Sequence, residues 1–345
     1  MKRRALTFLL YGLALAGAWM GVLQLAVCMR PQYFLGNPDE HVVLTHQQSQ
    51  LSRRQPYTNL VIGDSRGGCH FNPTDFTDAW LNLSIPGGHP VDGYAAFERY
   101  LAQGNRVDTL LIFYGLEDGL PEGRNFFDNL VIPYRVVDED MLGEIERLES
   151  VHGYVYQARP VANAWTLRGA QLGRRLKYAH FGPMYRSSFV KGFRHMVMMP
   201  EKMRKRIDYL RQTLPANRGH HLYGRDSSFS GLLWKDPGKT FGMKPINRRY
   251  LEAILELAEK RGTHAILVVH PFNATTHATL EGSTYLRTAE PLLRSIVGKY
   301  PHARLVMDLL QMPDDAFGDK YGHLNERGVK AYGELLRNQV LGTRS

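Results

Sequence analysis

The chain has 345 residues, of which 43% are hydrophobic and 22% are charged, and these proportions exclude a disordered or low-complexity protein. The net charge of +10 indicates that part of the surface carries an excess of basic residues. The only cysteines are Cys28 and Cys69, and no Cys/His cluster has zinc-type spacing, so we expect no disulfide framework, no metal and no cofactor.

The N-terminus predicts a membrane anchor. Three basic residues, 2–4, precede an uncharged run of 24 residues at 5–28, which is long enough to cross a hydrocarbon core of about 30 Å. Basic flanks stay cytoplasmic, so we expect a single-pass protein of the cytoplasmic membrane whose body is periplasmic or otherwise extracytoplasmic. The alternative is a cleaved signal peptide, because the tripeptide at 16–18 is Ala-Gly-Ala. We assign 1–30 to the cytoplasmic tip and anchor, and 31–57 to a polar linker with a short helix.

The rest of the chain, 58–345, alternates strand and helix patterns and is predicted to form one domain. The predicted strands are solidly apolar, which is typical of a parallel sheet covered by helices on both faces. The fold class is therefore α/β, a doubly wound and mostly parallel sheet in three layers. Strands are predicted at 58–63, within 79–88, and at 107–118, 264–273 and 303–310, and helices at 91–104, 248–262, 290–300 and 325–340.

Several chemically active residues follow the predicted strands. Ligands of such sheets bind at the carboxyl ends of the strands. We therefore expect one rim of the sheet to carry Ser65, Gly87, Glu117, His270 and the loop at 308–323.

A serine in this position needs help to act as a nucleophile. Ser65 follows the first strand in the Gly-flanked stretch "GDSRGG", where a plain turn residue is the alternative interpretation. A hydroxyl attacks only when a base accepts its proton, and a carboxylate usually orients that base. The stretch "GDKYGHLNERG" supplies both partners, Asp319 and His323, just before the last predicted helix.

These motifs resemble those of the SGNH or GDSL hydrolases. The resemblance is carried by Gly63-Asp64-Ser65, by Gly87-Gly88 after the second strand, and by His323. The block "HLNERG" is similar to the closing block of a branch that partners membrane-bound O-acyltransferases. That branch includes D-alanyl transfer proteins of the teichoic-acid pathway and exopolysaccharide O-acetylation proteins. The likeness covers roughly 58–118 and 264–340.

The resemblance implies a role for each matching residue. Ser65 would be the nucleophile, and its N–H together with that of Gly87 or Gly88 would bind the oxyanion. His323 would be the general base. Asp319 would orient it, with Asp315 as the alternative, because the carboxylate of the family usually lies three residues before the histidine and Asp319 lies four before it.

One block departs from the family pattern. Where the family has Gly-x-Asn-Asp, this chain has Gly115-Leu116-Glu117-Asp118. An ionised Glu117 cannot donate a hydrogen bond to an oxyanion as asparagine does. Either backbone donors suffice or Glu117 has another role, such as pairing with Arg66. We include Arg66, Glu117 and His270 among the expected pocket residues, although His270 also fits an ordinary strand-end histidine.

The middle of the chain is strongly basic. Between Arg168 and Arg225, 14 Lys and Arg residues face only two acids, Glu201 and Asp208. The region 120–245 interrupts the strand–helix alternation, so we interpret it as a helical, basic insertion over the site. An extracytoplasmic location argues against nucleic acid. An anionic membrane, an anionic glycan or a membrane-protein partner fits this charge, and a solvated helical face is the alternative.

Three functions remain open from the sequence. The first is an O-acyltransferase that moves an acyl group, with acetyl as the expected one, through a Ser65 ester to an envelope polysaccharide, using a membrane-bound O-acyltransferase partner. The second is a standalone esterase acting on envelope glycans. The third is a non-catalytic assembly factor that docks glycan or synthase through the basic region.

Overall fold

A computed structural model of the chain describes residues 2–34, 37–116, 131–132, 134–152, 164–179, 193–225, 227–233, 238–307 and 311–342. The first helix, α1 (Lys2–Met29), is apolar. Within it, Arg4–Val27 has a mean hydropathy of 1.8 and is long enough to span a membrane. The most apolar stretch of this helix is not buried against the rest of the protein.

The centre of the protein is a five-stranded parallel sheet. Its strand order is β2-β1-β3-β4-β6, which is the order of a flavodoxin-like doubly wound fold. A separate pair, β5 and β7, is also parallel. The strands are β1 (Asn59–Gly63), β2 (Trp80–Asn82), β3 (Thr109–Phe113), β4 (His264–Val268), β5 (Phe272–Asn273), β6 (Ala303–Val306) and β7 (Gln311–Met312).

Helices fill most of the described intervals between the strands. They are α2 (Pro31–Phe34), α3 (Pro38–Leu51), α4 (Ser65–His70), α5 (Pro90–Ala102), α6 (Glu139–His152), α7 (Ala164–Tyr178), α8 (193–197), α9 (Glu201–Ala216), α10 (Pro245–Arg261), α11 (Ala274–Leu280), α12 (Thr284–Val297) and α13 (Glu326–Leu335). After α13 the chain continues as a π-helical segment over Leu336–Leu341.

Alternate strand residues enter two separate cores, as the two-residue period of a strand requires. Leu60 and Ile62 of β1 pack into the core beneath α5, α10 and α12. Val61 points to the opposite face and packs into the core beneath α13. Every residue of β1 after Asn59 is buried. The predicted α/β fold with a parallel sheet covered on both faces is therefore confirmed.

Every predicted strand and helix of the α/β body has a counterpart, and the strands are shorter than predicted. Helices α4 and α11 and strand β7 were missed. Helix α4 begins at Ser65 and contains Gly67 and Gly68, which are poor helix formers. Its six residues are helical because they are packed tightly, with five of them buried.

The prediction of a linker at 31–57 needs correction. Residues 38–51 form α3, and Leu44 is fully buried. The buried amide of Gln47 donates a 2.6 Å hydrogen bond to the carbonyl of Leu83, just beyond β2. The segment therefore packs as part of the domain, because α3 buries apolar and amide groups against it.

The described parts of 120–245 are mostly helical. Helices α6 and α7 are joined by a buried ion pair. The two terminal nitrogens of the Arg174 guanidinium donate hydrogen bonds to the carboxylate of Glu149, at 2.9 and 2.8 Å. Helix α9 packs on α3 through Leu210, Leu214 and Val43. Helix α9 is thus anchored to α3, and the segment after it also contacts the sheet, because the N–H of Asn82 in β2 donates to the carbonyl of Arg218 at 2.9 Å.

Candidate active site

The turn that carries Ser65 is built by close backbone contact between β1 and β3. A side chain at Gly63 would place its Cβ only 1.9 Å from the carbonyl oxygen of Phe113. The N–H of Asp64 donates to that same oxygen at 3.0 Å. Strand β1 therefore ends against its neighbour with no room for a side chain, and Ser65 begins the next helix.

Asp64 fixes the turn through hydrogen bonds. Its carboxylate accepts from the N–H of Arg66 at 2.8 Å, which caps α4, and from the N–H of Gly115 at 2.8 Å. It thus links the start of α4 to the residues that follow β3. Asp64 is therefore a structural hydrogen-bond acceptor of the turn.

Ser65, His323 and Asp319 form a continuous hydrogen-bonded chain. The Oγ of Ser65 lies 2.8 Å from Nε2 of His323. On the other side of the ring, Nδ1 of His323 lies 2.7 Å from a carboxylate oxygen of Asp319. The sequence separates Ser65 from His323 by 258 residues. This is the order in which a nucleophile, a base and an orienting acid stand in a serine triad.

The carboxylate of Asp319 is held in its ionised form. Partial burial by itself would raise the pKa of this carboxyl, but the hydrogen bond and charge of His323 and the N–H groups of Tyr321 and His323 together lower the pKa below its usual range. The N–H of Tyr321 donates to it at 2.8 Å. An ionised Asp319 accepts the Nδ1 proton of His323, which leaves Nε2 facing Ser65 as the acceptor.

Asp315, the alternative orienting acid, lies elsewhere. Its carboxylate pairs with Arg327 and makes no contact with His323. Its backbone carbonyl accepts a hydrogen bond from Asn325, the residue that caps α13. Among the described residues, Asp319 is therefore the carboxylate bonded to the histidine.

The two glycines after β2 have different surroundings. The N–H of Gly88 donates to the carbonyl of Ile85 at 3.1 Å, so this donor is occupied by a turn. A Cβ on Gly88 would lie 2.6 Å from the carbonyl oxygen of Gly63, which places the loop directly against the Ser65 turn. Gly87 has a left-handed backbone, with φ 61°. Because the N–H of Gly88 is occupied, Gly87 is the remaining one of the two expected oxyanion donors.

The side chain of Arg66 is buried and makes structural contacts rather than facing a substrate. Its side chain is only 7% exposed, and its guanidinium lies 3.5 Å from the carboxylate of Asp64. Its Nε donates to the carbonyl of Tyr321 at 3.3 Å. Arg66 therefore connects the Ser65 turn to the loop that carries His323. The expected pairing with Glu117 falls outside the described residues.

His270 does not line an open pocket. Its side chain is fully buried, with its ring centroid 5.1 Å from that of Phe272 and 6.4 Å from that of His70. A bound substrate would not reach it without opening the core. This burial agrees with the alternative of an ordinary strand-end histidine rather than with contact to substrate.

His70 was missed by the sequence analysis and supports the His323 loop from below. Its Nε2 lies 3.0 Å from the carbonyl of Gly322 and 3.3 Å from the N–H of Leu324, the two residues that flank His323. Burial, helped by the nearby His270, lowers the pKa of His70 well below its usual range, so the ring is neutral. No motif in the sequence connects His70 with a loop 252 residues away.

Tyr223, also missed, covers a face of the His323 ring. The two rings are stacked, with centroids 4.3 Å apart and planes inclined by 27°. Tyr223 lies within 120–245, so this region reaches the site at His323. Among the described residues there is no His, Cys, Asp and Glu cluster suited to a metal ion.

The comparisons with known proteins do not identify a family. No protein-family model matches this chain, and a search of the curated proteins finds no significant relative.

Proposed function

We propose that the protein is a membrane-anchored, SGNH-type serine acyltransferase of the cell envelope. The observation that carries the proposal is the hydrogen-bonded chain from Ser65 through His323 to Asp319. Its order matches the residue roles implied by the sequence resemblance. A buried structural serine would not need a histidine and an ionised carboxylate aligned behind it.

The proposed reaction has two similar halves. Ser65 Oγ attacks the carbonyl carbon of an acyl donor while its proton passes to Nε2 of His323. The resulting oxyanion accepts hydrogen bonds from the N–H groups of Ser65 and Gly87. The tetrahedral intermediate collapses, and the leaving oxygen or sulfur takes the proton from His323. This leaves an acyl ester on Ser65.

The second half regenerates the enzyme. A hydroxyl of the acceptor attacks the ester carbonyl and gives its proton to His323. Collapse of the new intermediate breaks the bond to Ser65 Oγ, which recovers the proton. Asp319 stabilises the positively charged imidazole in both halves. Water in place of the acceptor hydroxyl would give hydrolysis by the same steps.

Two features support a location at the membrane. Helix α1 has the length and hydropathy of a single span. The described parts of the basic region also expose large apolar side chains, among them Trp165 at 80% and Met198 at 68%. Exposed apolar residues among basic ones are typical of surfaces that meet anionic lipid or a membrane protein. A membrane-bound acyltransferase as the acyl donor, and an envelope polysaccharide as the acceptor, follow from the resemblance and complete the proposal.

The test is covalent capture of the nucleophile. The full chain in detergent or nanodiscs is treated with a fluorophosphonate probe, and the peptide containing Ser65 is analysed by mass spectrometry. We expect the probe on Ser65, none on the Ser65→Ala variant, and labelling slowed by at least about 10³-fold in His323→Ala. Absence of labelling in a folded wild-type chain would contradict the proposal.

A second measurement separates transfer from hydrolysis. The protein is supplied with a small activated ester such as p-nitrophenyl acetate, with and without a soluble polyhydroxyl acceptor. Transfer predicts slow release of nitrophenol in water, accumulation of an acetylated Ser65 peptide, and faster turnover when the acceptor is added. Rapid turnover in water alone, with no effect of acceptor, would favour an esterase.

A further inference from the structure

Helix α9 of the basic region reaches the catalytic histidine through a series of stacked side chains. The guanidinium carbon of Arg206 lies 5.2 Å from the ring centroid of Tyr209 and 4.7 Å from that of Tyr223. The ring of Tyr223 in turn stacks on His323 at 4.3 Å. We call Tyr209, Arg206, Tyr223 and His323 the stacked column.

The position of Tyr223 is set by α9. Arg206 and Tyr209 lie three residues apart, so they share one face of the helix. The Arg206 guanidinium donates to the carbonyl of Leu222, and the N–H of Leu222 donates to the hydroxyl of Tyr209 at 3.1 Å. Both polar groups of the residue before Tyr223 are thus held by α9.

Arg206 is unusual for a partly buried cation. Within the described residues it has no carboxylate partner, and its second terminal nitrogen, Nη2, is buried without an acceptor. An arginine kept in such a place is normally offset by an anion, whereas here two aromatic faces take that part. Arg206 therefore packs between the rings of Tyr209 and Tyr223, and the Tyr223 ring contacts His323.

The hydrogen bonds of His323 do not by themselves fix the tilt of its ring. Nδ1 is tied to Asp319 and Nε2 to Ser65, which fixes the line through the two nitrogens. Tilting about that line is limited by the Cβ–Cγ bond and by groups packed on the ring faces, and it would misdirect the proton path once a substrate replaces the Ser65 hydrogen bond. Contact of Tyr223 with the face of the ring opposes this tilt.

We propose that Tyr223 is a positioning residue for His323, and that Arg206 and Tyr209 of α9 hold Tyr223 in place. The inference rests on the proposed function of Ser65 and His323. It makes α9 of the basic region a working part of the site as well as an external surface.

The activity test compares ring-preserving and ring-removing variants of the full chain. The measured quantity is the second-order rate constant for fluorophosphonate labelling of Ser65. We expect Tyr223→Leu to slow labelling by about 10- to 100-fold, since small misplacement of a catalytic group has effects of that size. Tyr223→Phe keeps the stacked ring, so its rate should stay within about threefold of wild type. Arg206→Met should lie between these two.

A matched control removes a tyrosine ring elsewhere. Tyr300 is also buried and lies in the core on the opposite face of the sheet from α13. Tyr300→Leu tests whether loss of any buried tyrosine slows labelling through lower stability. We expect its rate at 20 °C to match wild type. Equal slowing in Tyr300→Leu and Tyr223→Leu, or a wild-type rate in Tyr223→Leu, would overturn the inference.

A second readout does not depend on catalysis. A tyrosine stacked on His323 shields the imidazole ring protons, which therefore resonate upfield in NMR spectra of the chain in nanodiscs; the His323→Gln variant assigns them. We expect this shielding in wild type and Tyr223→Phe and its loss in Tyr223→Leu and, in part, in Arg206→Met. Unchanged His323 resonances in Tyr223→Leu would contradict the column even if Ser65 proves unreactive. Failure of Ser65 labelling in wild type would instead contradict the proposed function.

Discussion

Ser65 and His323 are held in place in different ways. The Ser65 turn is fixed mainly by close packing, since glycines at 63, 67 and 88 each approach another residue too closely for a side chain, and the Asp64 carboxylate adds hydrogen bonds. The His323 loop is fixed by side chains from several elements, namely Arg66, His70, Asp319 and Tyr223. A single substitution in the turn should therefore destabilise the fold. Substitutions around the His323 loop should instead lower the reactivity of Ser65 by amounts that differ from one side chain to another.

The largest expected effect comes from the side-chain support of the base. Asp319→Asn would leave His323 without an ionised partner and would favour the wrong ring tautomer. We expect labelling of Ser65 to slow by about 10³- to 10⁴-fold, the size seen when such an acid is neutralised in other triads. Asp315→Asn is the matched control, because Asp315 pairs with Arg327 and does not contact the ring. Equal rates in both variants would show that Asp319 has no such role.

A change at the turn should act on folding rather than on chemistry. Gly63→Ala would place a methyl group 1.9 Å from the Phe113 carbonyl oxygen, and a backbone atom in a central strand cannot move aside cheaply. We expect the free energy of unfolding to fall by about 3 kcal/mol. Thermal unfolding followed by circular dichroism measures the effect.

Gly143→Ala is the control for that substitution. Gly143 lies inside α6, and a Cβ there would meet nothing within 4 Å. Replacing a helical glycine with alanine should leave stability unchanged or raise it by up to about 1 kcal/mol. A similar loss of stability in the two variants would contradict the difference drawn between turn and helix.

The smallest expected effect is a loss of stability in acid at the back of α4. His220 is buried and its Nε2 lies 2.9 Å from the carbonyl of Cys69. Burial, opposed only in part by this hydrogen bond, lowers the pKa of His220 to about 4. Its pKa in the unfolded chain is about 6.5, so the unfolded state binds a proton first as the pH falls.

The stability contributed by a neutral His220 is therefore complete above pH 6.5 and is lost progressively towards pH 4. From this residue alone we expect the free energy of unfolding to fall by about 2 kcal/mol between pH 7 and pH 5. His220→Gln keeps an N–H donor for the Cys69 carbonyl and does not titrate. Between pH 7 and pH 5 the unfolding free energy of this variant should therefore fall by about 2 kcal/mol less than that of the wild type. An identical pH dependence in the two proteins would show that His220 does not contribute to the loss of stability in acid.

Much of the fold follows from the sequence because it depends on local patterns. Solid apolar runs predicted the buried parallel strands, and helical spacing predicted α5, α10, α12 and α13. The pattern at 65–70 did not predict α4, because its two glycines disfavour a helix and tertiary packing overrides that preference. Likewise, the polar composition of 31–57 concealed the buried face of α3.

For the candidate site, local patterns were enough to predict the chemical types: a serine at the end of a buried strand, and an acid and a histidine before the last helix. The folded structure was needed to show which acid contacts His323, that Arg66 and His270 are buried, and that Tyr223 covers the histidine ring. The two kinds of information differ in their range along the chain. The patterns that predict strands and helices depend on neighbouring residues. The contacts of the site instead join segments that are distant in the sequence, and the order of the strands brings these segments to one edge of the sheet.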